Sequence, residues 1–140
     1  MIRRAEKQDS PLIAALMVRL WPHQTVDAME EELREMMEDG EIAFFLAADV
    51  GFAQCQLRHD YVEGTDSSPV GYLEGIYVAE HCRHQGIARE LVRACENWAK
   101  EKGCREFASD CELTNIQSLK FHLGVGFEEA NRIICFTRKL

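Results

Sequence analysis

The stretch Ile76–Val92, IYVAEHCRHQGIARELV, decides how this chain is read. Its first residues are apolar and β-branched or aromatic, the composition of a strand. Its last residues begin a helical stripe in which Ile87, Leu91, Cys95, Trp98 and Lys102 share a face, and Gly103 supplies the stop. The turn between them spells R-x-x-G-x-A with Arg83, Gly86 and Ala88. A glycine there lets the backbone take positive φ and approach a ligand closely. The free N–H groups of the helix start, aided by the helix dipole, then favour an anion. Arg83 and His84 add charge, and Gln85 and Ile87 complete the turn. This is the pattern of a pyrophosphate site. It lacks the Gly-Lys-Ser/Thr of a P-loop and the G-x-G-x-x-G of a dinucleotide fold. Taken alone, the glycine also fits a plain helix start.

The same strand poses a second problem. Extended backwards it reads YLEGIYV, Tyr72–Val78, with Glu74 inside an apolar run. Carboxylates are depleted from strands and are seldom buried unpaired. Glu74 therefore either faces a polar cleft or is neutralised by an internal arginine or by backbone N–H groups.

Outward from this segment the chain alternates helix and strand. IRRA is a short first strand. Ser10-Pro11 caps and opens a helix to about Trp21, and Thr25 caps a second helix that Gly40 ends. IAFFLAA and VGFAQCQLRHDY are strands joined by a connection of which only Asp49 is plainly a turn residue. VEGTDSSP is a loop. After the long helix come the strand EFASD, a helix opened by the capping box Thr114-Asn115-Ile116-Gln117, and one or two closing strands in FEEANRIICFTRKL. The expected fold is α/β, a mixed central sheet flanked by helices in the order β-α-α-β-β-β-α-β-α-β-β, as one domain spanning residues 1–140.

Composition narrows the function. The chain has 140 residues, 46% hydrophobic and 29% charged, an ordinary globular balance. Its net charge of −8 argues against nucleic acid and suits cationic partners. No apolar run is long enough to cross a bilayer, and a cytoplasmic location is the expectation. The six cysteines form no C-x-x-C pair, and the run His81-Cys82-Arg83-His84 has no second ligand cluster, so no metal is expected.

Strand, R-x-x-G-x-A, helix, strand, Asn-opened helix, then Gly126-Phe127 resembles the Gcn5-related N-acetyltransferase (GNAT) superfamily. That resemblance implies acetyl-CoA as cosubstrate, with its pyrophosphate on residues Arg83, His84, Gln85, Gly86, Ile87 and Ala88. It also implies a pantetheine arm paired against Ile76, Tyr77 and Val78. More narrowly, LRHDYVEG-TDSSPV-x-x-LEGIYV with CREFASD and H-x-x-x-GFEE is similar to the aminoglycoside 6′-N-acetyltransferases over about Leu57–Glu129, and more loosely at Leu20-Trp21-Pro22. This branch implies resistance, a homodimer, and contacts to an aminoglycoside from Trp21, Tyr61, Glu74 and Asp110. It usually has a longer hairpin around Asp49.

Acetyl transfer to an amine needs a proton removed, a carbonyl polarised and a thiolate protonated. Glu74 is the candidate to bind the ammonium and help remove its proton. His122, four residues before Gly126, stands where the superfamily often has a tyrosine acid. Its other reading is a helix histidine bonded to coenzyme or backbone. Asn115 either meets the pantetheine amide or caps its helix. Trp21 and Tyr61 are either sugar contacts or core aromatics, and Asp110 is either a drug contact or an ordinary strand end. Two further functions share these features: an acetyltransferase for another cationic amine (polyamine or protein amino group), and a non-catalytic acyl-CoA binder.

Overall fold

A computed structural model describes all of Met1–Leu140. The elements are β1 (Ile2–Arg4), α1 (Ser10–Leu20), α2 (Val26–Met36), β2 (Ile42–Ala47), β3 (Gly51–Arg58), β4 (Val70–Val78), α3 (Ile87–Glu101), β5 (Phe107–Ala108) and α4 (Ile116–Gly124), with single 3-10 turns at Lys7–Asp9 and Glu80–Cys82. The sheet runs β1-β2-β3-β4-β5. β1 to β4 are antiparallel neighbours, while β5 lies parallel to β4. A parallel neighbour needs a crossover, and α3 supplies it.

Alternation along the strands sorts the core into two layers. Ala43, Ala47, Ala53 and Cys55 face α3, which contributes the large groups Leu91, Val92 and Trp98. Phe44, Leu46 and Phe52 point the other way, against Ile13, Met17, Met29 and Leu33 of α1 and α2. Small sheet residues thus meet large helix residues on one face, and large sheet residues meet two helices on the other.

The expected fold class holds, with a correction to its element list at the closing strands. Everything after Gly126 is irregular. Ile134 is 80% and Phe136 is 88% exposed. A strand exists only where a second strand takes its hydrogen bonds, and this segment runs instead across the loop before β4, where Asn131 Nδ2 donates to Glu63 Oε1 at 2.9 Å. The short connection expected at Asp49 does form a hairpin. It is a three-residue turn, Ala48 to Val50, closed by the Ala47–Gly51 pair. Ala48 takes φ +47° to make it; a left-handed residue is common in three-residue hairpin loops, though usually at their end. The turn is longer than the single residue Asp49 because Ala48 and Val50, though apolar, lie outside both strands.

Candidate active site

β4 is where the sheet opens. On one side it pairs with β3 along its length, but β5 meets it only at Gly71 and Tyr72. From Leu73 to Val78 no strand lies on that second edge, so its backbone groups face a gap. A cleft of about 220 Å³ fills the gap, bordered by Glu74, Gly75 and Ile76 on β4, by Ser109 to Glu112 after β5, by Asn115 at the start of α4, and by Ser118 and His122 within it. Trp21, at the end of α1, closes its far wall.

The register explains how a carboxylate enters an apolar strand. Gln54 pairs with Gly75 and Cys55 with Leu73, which leaves Glu74 as an extra residue in β4. Such a bulge breaks the alternation and re-aims one side chain. Gly75 follows it because a Cβ there would stand 2.7 Å from Cη2 of Trp21.

Glu74 lines the cleft and is also neutralised, so both sequence readings describe it. Its Oε1 accepts from Arg58 Nη2 at 2.8 Å and its Oε2 from Arg58 Nε at 2.9 Å. The Arg58 guanidinium carbon lies 3.4 Å from the centroid of the Tyr72 ring. The Tyr72 hydroxyl in turn donates to Asp110 Oδ2. Glu74, foremost, holds the Arg58 proton more tightly than usual. Burial, then the bond to Asp110, pushes the Tyr72 phenol well above its usual range, so it stays a donor.

His122 is held at both ring nitrogens. Nδ1 lies 2.7 Å from the Ser118 carbonyl oxygen, and Nε2 lies 2.7 Å from Ser109 Oγ. A carbonyl only accepts, so Nδ1 carries the hydrogen of the neutral ring and Nε2 accepts from Ser109. Phe121 and Phe127 pack against the imidazole at 5.5 and 5.3 Å between centroids.

The glycine turn has the expected backbone. His84 sits at φ +63° and Gly86 at φ +83°, where Gly86 is the N-cap of α3. A Cβ on Gly86 would meet nothing within 4 Å, so it is conformation and not space that favours glycine. Two left-handed residues in one turn suit a concave array of backbone N–H groups, and the first turn of α3 adds its own unpaired donors. Arg83 is held against the strand: Nε donates to the Val78 carbonyl at 2.8 Å, and its guanidinium lies 5.7 Å from the Tyr77 ring centroid. An open β4 edge leading to this turn fits an extended thioester carrier ending in a pyrophosphate.

The structure thus brings Trp21, Glu74, Ile76, Asp110, Asn115 and His122 to one cleft, with the turn beyond it. Asn115 caps α4, accepting from Ser118 N at 3.0 Å, one residue later than the capping box placed it. Tyr61 lies apart: it is 75% exposed and its hydroxyl accepts from Gly64 N at 3.3 Å. Arg58, Tyr72 and Ser109 are site residues that the sequence did not single out. The only signal for Arg58 was the demand of a half-buried carboxylate for a partner. No group of three or more His, Cys, Asp or Glu has metal-holding geometry, and no helix is long and apolar enough to cross a membrane.

Comparison with known proteins bears on this geometry. The family model described as "Acetyltransferase (GNAT) family" matches residues 6–127. The aminoglycoside N(6′)-acetyltransferase type 1 of Stenotrophomonas maltophilia is 44% identical over 144 residues, covering 99% of this chain and 93% of that protein. The enzyme of the same name from Salmonella enteritidis is 41% identical, covering 99% and 98%. Among solved structures, AAC(6′)-Iy in complex with the bisubstrate analogue CoA-S-monomethyl-acetylneamine superposes with a TM-score of 0.94 at 39% identity, covering 100% of this chain and 98% of that one. AAC(6′)-Ih from Acinetobacter baumannii gives 0.93 at 33%, covering 100% and 98%. With that likeness in sequence and backbone along nearly the whole of each chain, this protein belongs to the GNAT family of acetyltransferases.

Proposed function

We propose that this protein transfers the acetyl group of acetyl-CoA to the 6′-amine of aminoglycosides, by direct attack of the amine on the thioester, and so confers resistance to them. The observation that carries this reading is a carboxylate-lined cleft, with Glu74, Asp110 and Glu112 on its walls, beside an unpaired strand edge. A polycationic acceptor suits those walls, and the net charge of −8 steers it towards them. The names of the relatives support the same substrate class.

The roles follow from the chemistry. Glu74 and Asp110 bind the acceptor's ammonium groups, and Glu74 takes the proton that the amine must lose, directly or through water. Trp21 offers an aromatic face to a sugar ring, while Tyr61, exposed on its loop outside the cleft, would touch only a part of the acceptor that extends beyond the cleft. Backbone N–H groups of Ile76 to Val78 hold the pantetheine arm and polarise the thioester carbonyl. The turn from Arg83 to Ala88 takes the pyrophosphate. The departing thiolate takes the Ser109 hydroxyl proton, and Ser109 takes one from the imidazolium of His122 at Nε2. The enzyme works in the cytoplasm as a homodimer.

Thiol release from acetyl-CoA tests this, measured with kanamycin, its 6′-hydroxyl counterpart, spermidine and a lysine peptide. Release is expected with kanamycin alone, and Glu74→Gln is expected to lower its kcat/KM by about 10²-fold. Release with spermidine or peptide alone would move the assignment to another cationic amine. Tight coenzyme binding with no release would leave an acyl-CoA binder.

A further inference from the structure

Arg58 ends β3, opposite Val70, and its side chain reaches back along β4 to Glu74. On its way the guanidinium covers the Tyr72 ring. The two cleft carboxylates come from separate elements, Glu74 from the β4 bulge and Asp110 from the segment after β5. One cation ties them together: it grips Glu74 by both oxygens and clamps the ring whose hydroxyl holds Asp110. A carboxylate has roughly four acceptor positions, so the fork leaves each Glu74 oxygen free to accept once more. A planar fork also fixes the plane of the carboxylate, which a lysine ammonium cannot do. With side chains 18% and 39% exposed, Glu74 and Arg58 are shielded enough for the pair to persist in solvent. We propose that Arg58 is the positioning residue of the acceptor site, presetting Glu74 directly and Asp110 through Tyr72, so that both meet the acceptor's ammonium groups in one geometry. This rests on the reading of the cleft as the amine-acceptor site.

The test is steady-state kinetics of Arg58→Met, Arg58→Lys and Tyr72→Phe, with KM and kcat taken for the amine and KM for acetyl-CoA. Misplacing an acceptor by about 1 Å costs on the order of 10²-fold, so Arg58→Met should lose about that much kcat/KM for the amine. The acetyl-CoA KM should stay within about twofold. Arg58→Lys should recover only a minor part, because a point charge does not fix the carboxylate plane. Tyr72→Phe frees Asp110 alone and should lose about tenfold. The proposal is overturned if Arg58→Met keeps its amine kcat/KM, if Arg58→Lys is fully active, or if acetyl-CoA KM rises in step with that of the amine. Should Arg58→Met not fold, Tyr72→Phe decides, since an unchanged amine KM and kcat there would sink the link to Asp110. The kinetics are run on whichever amine the wild-type protein acetylates, so a wrong drug assignment shows in the wild type and a wrong role for Arg58 shows only in the variants.

Discussion

The imidazole of His122 has its hydrogen placed by geometry. Because Nδ1 donates to the Ser118 carbonyl, the neutral ring can only accept at Nε2, from Ser109. A proton reaches the cleft from this pair only when the ring is charged and Ser109 passes its own hydroxyl proton on. The two residues therefore act as a unit, and units are not additive. Ser109→Ala and His122→Ala should each lower kcat by about 10- to 100-fold with little change in amine KM. The double variant should be no worse than the poorer single one. Multiplying losses in the double variant, measured as kcat at saturating substrates, would mean the two side chains work separately. Only half of this pair was legible in the sequence. His122 could be found by its spacing from Gly126, since both lie on one helix and its exit. Ser109 is thirteen positions away in the chain, and the contact appears only once α4 folds back over the end of β5.

At the scale of elements, β4 shows what a sequence can and cannot say. Its existence was plain from YLEGIYV, and so was the oddness of Glu74. The bulge was not, because a bulge is a mismatch between two strands and depends on where Gln54 and Cys55 fall. The Arg58 pair was hidden for the same reason: its partner is defined by register. Gly75 carries the consequence. Here Trp21, at the end of α1, rests on the bare backbone of the strand. Gly75→Ala pushes a methyl to within 2.7 Å of the indole, and overpacking of this kind costs about 1–3 kcal/mol. The variant should melt several degrees lower, and its amine KM should rise several-fold as Trp21 leaves the cleft wall. A melting temperature and amine KM equal to wild type would show that Trp21 neither packs there nor borders the acceptor. The capping box was off by a single residue. Thr114 and Asn115 both offer a cap, and the backbone of Asn115, not its neighbour, holds the orientation that reaches Ser118 N.

For the whole molecule the open question of the sequence was its C-terminal end. The residues of IICFT have strand composition, and in one chain they find no strand partner: Ile133, Ile134 and Phe136 are all exposed. The sheet meanwhile stops at β5, which is two residues long and pairs only with β4. An apolar strand former without a partner, in a chain whose sheet ends in an unpaired edge, is an arrangement that a second copy can satisfy, and an exchange between identical chains closes on itself. If two copies pair as proposed above, the missing strands form between chains and not within one, and the strand-like residues gain their partner there. On this argument light scattering should give twice the chain mass for the intact protein. Removing Asn131–Leu140 should give a single chain mass, with the α/β circular dichroism retained because both core layers lie within the first 104 residues. A truncated protein that is still dimeric would put the interface elsewhere, and an intact protein that is monomeric at every concentration would leave the exposed tail without this explanation.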